Sequence, residues 1–244
     1  MPLDYPQRRR NLVHSGKSGF IGYLMIRPPG PWRMYWKTLE GLVLRYDFNE
    51  CQAKDLSGNG YNGTIYGAQC VRGRSGKALS FDGLNDYVDC GNVDAVNGVS
   101  EITATAWIKW EGEVGGLTDP REFHRKHNVY AFGGGWKDHK ARFWIYDGAW
   151  RNSGDSITNI DDGNWYFIVG VYDGEYLRLY VDGVEESNNY IGSTTLYANS
   201  EPVIIGSSRG IAEFWIGIID EVRIYNRALS ENEIKMLYYN RIGA

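Results

Sequence analysis

Aromatic side chains carry the first chemical signal in this sequence. Tyr130, Phe132, Trp136, Phe143, Trp144, Tyr146 and Trp150 crowd into one short segment. Rings exposed on a sheet can stack on sugar faces while Asp, Asn and Arg bind hydroxyls, so Trp136, Trp144, Tyr146, Trp150 and Arg151 are the candidate carbohydrate-binding residues. Strand parity in ARFWIYD puts Phe143 and Ile145 on one side and Trp144 and Tyr146 on the other. Indole and phenol carry polar groups that prefer a partner or water, so Trp144 and Tyr146 are expected to face outward. Core or interface packing is the competing use of the same rings. Groups in catalytic arrangements are missing: there is no G-x-S-x-G elbow, Walker loop or H-E-x-x-H motif, and no Cys/His set with zinc spacing. His124 and His127 lie in a long polar run, Glu111 to Asn128, without a third His or a nearby Cys, and are expected to be solvated in a loop.

Strands must hold these candidates. Trp165 to Gly183, WYFIVGVYDGEYLRLYVDG, is rich in aromatic and β-branched residues, and Leu177, Leu179 and Val181 alternate with Arg178, Tyr180 and Asp182. That pattern is a strand with one buried face. Asp173-Gly174 and Asp182-Gly183 mark hairpin turns. A two-residue loop at Asp173-Gly174 would set Val169 and Val171 on the face of Arg178. A three-residue bulged loop that includes Glu175 sets Phe167, Val169 and Val171 beside Leu177, Leu179 and Val181 instead, and is the expected register. Further strands are expected over residues 40–48, 102–110, 202–206 and 214–225, with Gly217 at a bend. Ser230-Glu231-Asn232-Glu233 is a capping box leading a short helical turn into Ile234, Met236 and Leu237.

The run WYFIVGVYDGEYLRLYVDGV resembles the signature of laminin-G-like domains of the concanavalin A-like lectin and glucanase superfamily. Two other stretches agree in order: DLSGNGYNG (55–63) followed by GKALSFDGLNDY (76–87), and IDEVRIYNRALS (219–230). The resemblance brackets residues 41 to 238 and implies an all-β fold, a two-sheet antiparallel β-sandwich or jelly roll. Its first strand should lie beside its last, so that Val43 neighbours the IDEVRIY strand. Structural calcium is implied for some members. Asp55 and Asn59, with Asp82 and Asp220 brought near by such a fold, could supply part of a calcium shell of ~6 to 8 oxygens, though turn-forming Asp and Asn need no metal. Glycosidases of the superfamily carry paired carboxylates in a pattern close to Glu-x-Asp-x-x-Glu, which this chain lacks, and the adjacent Asp220 and Glu221 should point to opposite faces.

The 244 residues suit one large all-β domain, with 43% hydrophobic residues and 31 Gly against 7 Pro for many short strands and tight turns. Charge divides the chain. Residues 1–40 carry seven cationic side chains against Asp4 and Glu40, a balance of +5, so a net charge of −4 leaves −9 on the remainder. Pro28, Pro29 and Pro31 exclude a helix there, and Arg8, Arg9, Arg10, Trp32, Tyr35 and Trp36 offer charge and apolar anchors. We therefore divide the chain into an extended basic N-terminal arm, 1–40, and a domain, 41–244. The arm is expected to bind other protein subunits, its alternative being a tail packed on its own domain; nucleic acid is not expected, because three arginines make few phosphate contacts. Cys51 and Cys70 flank the DLSGNGYNG loop and could bridge it, but with Cys90 they are odd in number and are expected to be buried or idle thiols. No run approaches the ~18 apolar residues that cross a bilayer, and the start lacks the apolar core of a signal peptide. The expected function is that of a non-catalytic structural protein, fastened by its arm to a larger particle such as a virion and presenting a glycan-binding face. A lectin module at the cell surface or outside the cell is the alternative, and a glycoside hydrolase the distant third.

Overall fold

The computed structural model describes residues 38–112, 121–134 and 139–239. Among them two antiparallel sheets pack face to face. The eight-stranded sheet runs β13 (Val184–Tyr190), β12 (Tyr176–Val181), β11 (Trp165–Tyr172), β6 (Ile102–Trp110), β15 (Ile216–Tyr225), β4 (Lys77–Asp82) and β3 (Gln69–Arg72), and β1 (Leu42–Tyr46) also pairs with β15. The seven-stranded sheet runs β10 (Trp150–Asn152), β9 (Ala141–Tyr146), β8 (Tyr130–Gly134), β7 (Arg121–Lys126), β14 (Val203–Ile205), β5 (Tyr87–Asp89) and β2 (Thr64–Tyr66). Helix α1 (Glu231–Tyr239) closes the fold. No helix among the described residues is long and apolar enough to cross a membrane.

The sandwich, its closing helix and the pairing of the first strand with the last agree with the expectation from the sequence; β1 even bulges at Val43, between Leu42 and Leu44. Alternation along each strand fills the core, where Phe123, Phe132 and Phe143 of one sheet meet Leu79, Ile108, Ile168 and Leu179 of the other. The sheets approach so closely at Gly170 that a Cβ there would lie 2.3 Å from Cγ of Phe143.

The β11–β12 hairpin differs from its expected register. Tyr172 pairs with Leu177, Val171 with Arg178 and Val169 with Tyr180. The N–H of Asp173 donates to the carbonyl of Tyr176 at 3.2 Å, leaving the two-residue turn Gly174-Glu175 in place of a three-residue bulged loop. The expectation assumed one buried face, whereas β11 is buried on both. Ile168 and Tyr172 look into the sandwich with Leu177, Leu179 and Val181. Phe167, Val169 and Val171 lie with Tyr180 against Leu229, Ile234 and Leu237, so α1 covers the other side. The Asp182-Gly183 turn is as expected, with φ of 50° and 82° in the left-handed region that a two-residue hairpin loop of this hand requires. At the start of α1 the Glu233 carboxylate accepts the Ser230 N–H at 2.9 Å and an Arg227 N–H at 2.7 Å.

Three further expectations are corrected. Cys51 and Cys70 form a disulfide, while Cys90 is a buried free thiol. The pairing follows from the approach of the Asn49 turn to the β3–β4 hairpin, where Asn49 Oδ1 accepts the Lys77 N–H at 2.9 Å. Asp220 and Glu221 lie on the same side of β15, because the strand bulges between Asp220 and Arg223 with Glu221 at φ 49°. Asp220 Oδ2 accepts the Ser75 N–H at 3.1 Å, and Glu221 is paired with Arg223 and, at 4.0 Å, with Arg45. Finally, Thr38, assigned to the arm, is buried in the domain, and the Glu40 carbonyl accepts the Arg227 Nε–H at 2.7 Å.

Candidate functional site

The outer face of the seven-stranded sheet gathers the aromatic candidates. Along β9, Ala141, Phe143 and Ile145 are buried and Arg142, Trp144 and Tyr146 are half-buried, as parity predicts. Directly paired residues share a sheet face, so register fixes a row across it. From β10 to β2 this row reads Asn152, Trp144, Ala131, Arg125, Ile204, Asp89 and Thr64. The small Ala131 sits between the large Trp144 and Arg125 and leaves a low floor there.

Around this row the rings and guanidinium groups support one another. The Arg142 guanidinium lies 5.6 Å from the Trp144 ring centre, and Arg142 is also paired with Asp155. Trp150, 38% exposed, packs on Tyr146 at 5.2 Å and carries the Arg125 guanidinium at 5.1 Å from its ring centre. Tyr197, 51% exposed, meets Tyr146 at 5.7 Å between ring centres, and its N–H donates to the Tyr146 carbonyl at 2.9 Å. Arg125 is held from beneath: it donates to Glu122 at 2.7 Å, to Ser208 Oγ at 2.9 Å and to His127 Nδ1 at 3.2 Å. Burial pushes the Glu122 carboxyl up to about 8, with Glu213 adding to the rise and Arg125 opposing it. Burial, then the charges of Arg125 and Arg209, lower the His127 pKa. Beside Arg125 lies a recess of about 170 Å³ bordered by His127, Glu201, Ile204 and Arg209. Flat rings, forked N–H donors and the Glu201 carboxylate are a set that can stack on a ring and exchange hydrogen bonds with hydroxyls.

Of the sequence candidates, Trp144, Tyr146 and Trp150 come together here. Arg151 does not: it pairs with Ile145, takes the opposite parity and reaches Asp147 at 3.5 Å. Trp136 lies outside the described residues, as do Arg8, Arg9, Arg10, Trp32, Tyr35 and Trp36. Arg125 and Tyr197 were not singled out, since neither belongs to an aromatic run. The expected long loop from Glu111 to Asn128 is partly strand β7, which carries Arg125, and His124 is buried rather than solvated. Its Nδ1 lies 3.1 Å from the Tyr130 hydroxyl, between the rings of Tyr130 and Phe132, and burial holds its pKa down at about 3.

Each of the calcium candidates has hydrogen-bond partners within the chain, and Asp55 and Asn59 share Ser57 Oγ. Asp55 accepts the N–H groups of Arg45, Ser57 and Tyr61 at 3.1, 2.9 and 3.0 Å. Asn59 Nδ2 donates to the Leu42 and Val43 carbonyls at 3.1 and 2.8 Å. Asp82 caps its own turn through the Leu84 N–H at 2.8 Å, and Asp220 is buried beside Ser75. Among the described residues no group of three or more His, Cys, Asp or Glu could hold a metal ion. At Asp55 the turn and strand N–H groups take lone pairs that a calcium ion would use, whereas Asn59 is held through its Nδ2 donor.

Several solved structures share this fold. Domain 4 of AbnA, a GH43 extracellular arabinanase from Geobacillus stearothermophilus, solved in complex with arabinotriose, is 21% identical, covers 81% of this chain and 98% of its own, and has a TM-score of 0.66. The binding domain of Paraclostridial Mosquitocidal Protein 1 is 20% identical over 85% of this chain and 54% of its own, with a TM-score of 0.69. The botulinum neurotoxin serotype D binding domain is 14% identical over 86% and 53%, with a TM-score of 0.67. The chain thus spans about half the length of the two toxin domains, and at these identities the likeness is one of fold. No curated protein matches the sequence. Residues 81–235, well over half of the chain, match the laminin-G model described as the concanavalin A-like lectin/glucanases superfamily, and the chain belongs to that family.

Proposed function

We propose that this domain is a non-catalytic carbohydrate-binding module that holds sugar rings on the outer face of its seven-stranded sheet. The observation that carries the reading is the cluster of Trp144, Tyr146, Trp150 and Tyr197 around Arg125, whose guanidinium is fixed by Glu122 and Ser208. Fixed donors beside flat rings lose little side-chain freedom when a ligand arrives. The AbnA domain of the same fold was solved with arabinotriose, which supports a sugar as the ligand class. Burial of Asp220, Glu221 and Glu122 supports the non-catalytic part, since a hydrolytic carboxyl pair must flank the substrate bond. Native affinity electrophoresis in gels containing arabinan, xylan, mannan or β-glucan tests the reading. One polymer should retard the protein, and Trp144→Ala and Trp150→Ala should abolish the retardation with the melting temperature preserved. Retardation by none of them, or equal retardation of both variants, removes it.

A second reading joins this module to a larger assembly through residues 1–37. It is supported by the opposite charges of arm and body and by Trp32, Tyr35 and Trp36. A particle exterior or a cell surface suits the Cys51–Cys70 disulfide, which persists in oxidising surroundings.

A further inference from the structure

The aromatic cluster has a counterpart at the far end of the same face. Tyr87 and Tyr66 stand two residues from Asp89 and Thr64 of the transverse row, so they share its face, and they pair with each other. Their rings stack at 4.5 Å with an interplanar angle of 16°, and Tyr66 is 45% exposed. Gly210, with φ +69°, brings a bare backbone against Tyr87: a Cβ there would lie 3.1 Å from the ring. Between the two aromatic ends lies the recess beside Arg125, with Glu201 and the exposed Arg209 on its border. From β9 to β2 there are five strand spacings, or about 24 Å. One sugar ring fills only a small part of that length.

Building on the sugar-binding reading above, we propose that the ligand is an internal stretch of a linear polysaccharide that lies across the strands. Its rings stack on Trp144 and Trp150 at one end and on Tyr66 and Tyr87 at the other, with the hydroxyls of the middle rings on Arg125, Arg209 and Glu201. A terminal sugar would use one end and leave the second ring pair without a role. Register sets Tyr146 and Trp150 two residues to one side of the row and Tyr66 and Tyr87 two residues to the other, so a chain that crosses the strands obliquely meets both ends and the recess between them.

The test takes the polymer retained in the gels, cuts it into a ladder from disaccharide to octasaccharide, and titrates each into the full chain by calorimetry. Affinity should climb with chain length. Tyr66→Ala or Tyr87→Ala should lower octasaccharide affinity about tenfold, equal to about 1.4 kcal/mol and in the range of one lost aromatic stack, and leave disaccharide affinity unchanged. A disaccharide that binds as tightly as the octasaccharide overturns the extended chain. So does octasaccharide binding that is unchanged in both tyrosine variants while Trp144→Ala still abolishes it, and in that case the sugar-binding face itself stands. Octasaccharide binding that survives Trp144→Ala and Trp150→Ala overturns the face and the extended chain together.

Discussion

Asp220 is a carboxyl group buried where its charge has little compensation. Burial raises its pKa to about 7 and neighbouring Glu221 adds to the rise, while the Ser75 N–H opposes it. The unfolded value is about 3.9, so the folded state binds the extra proton between the two values. Stability from this group is therefore complete below about pH 4 and is lost as pH rises toward 7, by up to ~1.4 kcal/mol per pH unit. Asp220→Asn removes the charge at every pH. Its melting temperature, measured against wild type, should gain steadily across that window, and a constant offset would mean that Asp220 is ionised throughout. His124 runs the other way, since its folded pKa of about 3 makes stability fall on acidification, which is why the comparison with wild type isolates Asp220. At the same scale, β9 separates packing from binding. Phe143→Ala should cost about 3 to 5 kcal/mol in denaturant unfolding, whereas half-buried Trp144→Ala should cost about 1 kcal/mol or less. Equal losses would place Trp144 in the core. This division was readable from alternation alone, but the place of Arg151 was not, because strand parity does not pass through the turn between β9 and β10.

At the scale of elements, what the sequence could not reveal is what lies over each strand. Period-two alternation in β12 is plain, yet the register of β11 depended on a helix much later in the chain, Glu231–Tyr239, covering the second face. The β15 bulge was equally hidden, since nothing in IDEVRIY marks Glu221 as the extra residue, and it is the bulge that brings two carboxylates to one side. Strand β7 looked like loop because its charged residues serve Arg125 and the buried core rather than solvent. Turns were more readable: Asp182-Gly183 stands where expected, whereas Gly217, expected at a bend, is paired on both sides within β15, with φ +130°. One close approach ties the two sheets together and can be tested. Gly170 leaves room for the Phe143 ring, and its backbone needs no positive φ, so Gly170→Ala is a pure test of overpacking. It should cost about 1 to 3 kcal/mol in denaturant unfolding. Phe143→Leu in the same background should recover part of that loss, and no recovery would locate the strain elsewhere.

At the scale of the whole molecule, three motifs in order sufficed for the fold, because each marks a turn or strand that the sandwich needs at that point in the chain. The binding face was only partly readable: its aromatic end is contiguous in sequence, but Arg125 and Tyr87 join it through strand pairing across the chain, and Tyr197 through its N–H to the Tyr146 carbonyl. The charge division is a property of the whole chain as well. Thr38 to Glu40 pack on the domain, through the buried Thr38 and the Arg227 contact, so a cut before Thr38 spares every described contact. Residues 1–37 carry seven cationic side chains against Asp4 alone, +6, which leaves −10 on the rest of a chain of net charge −4. Two such charges attract between molecules as well as within one, and salt beyond about 0.15 M, where the Debye length is about 8 Å, weakens an exposed attraction of this kind. Deleting residues 1–37 should therefore leave the melting temperature unchanged and convert any oligomer or particle into monomer, measured by light scattering after size exclusion. High salt should loosen the full-length assembly in the same direction. A domain that unfolds on deletion would make the arm part of the fold, and assembly that persists without it would move the subunit contact to the sheets.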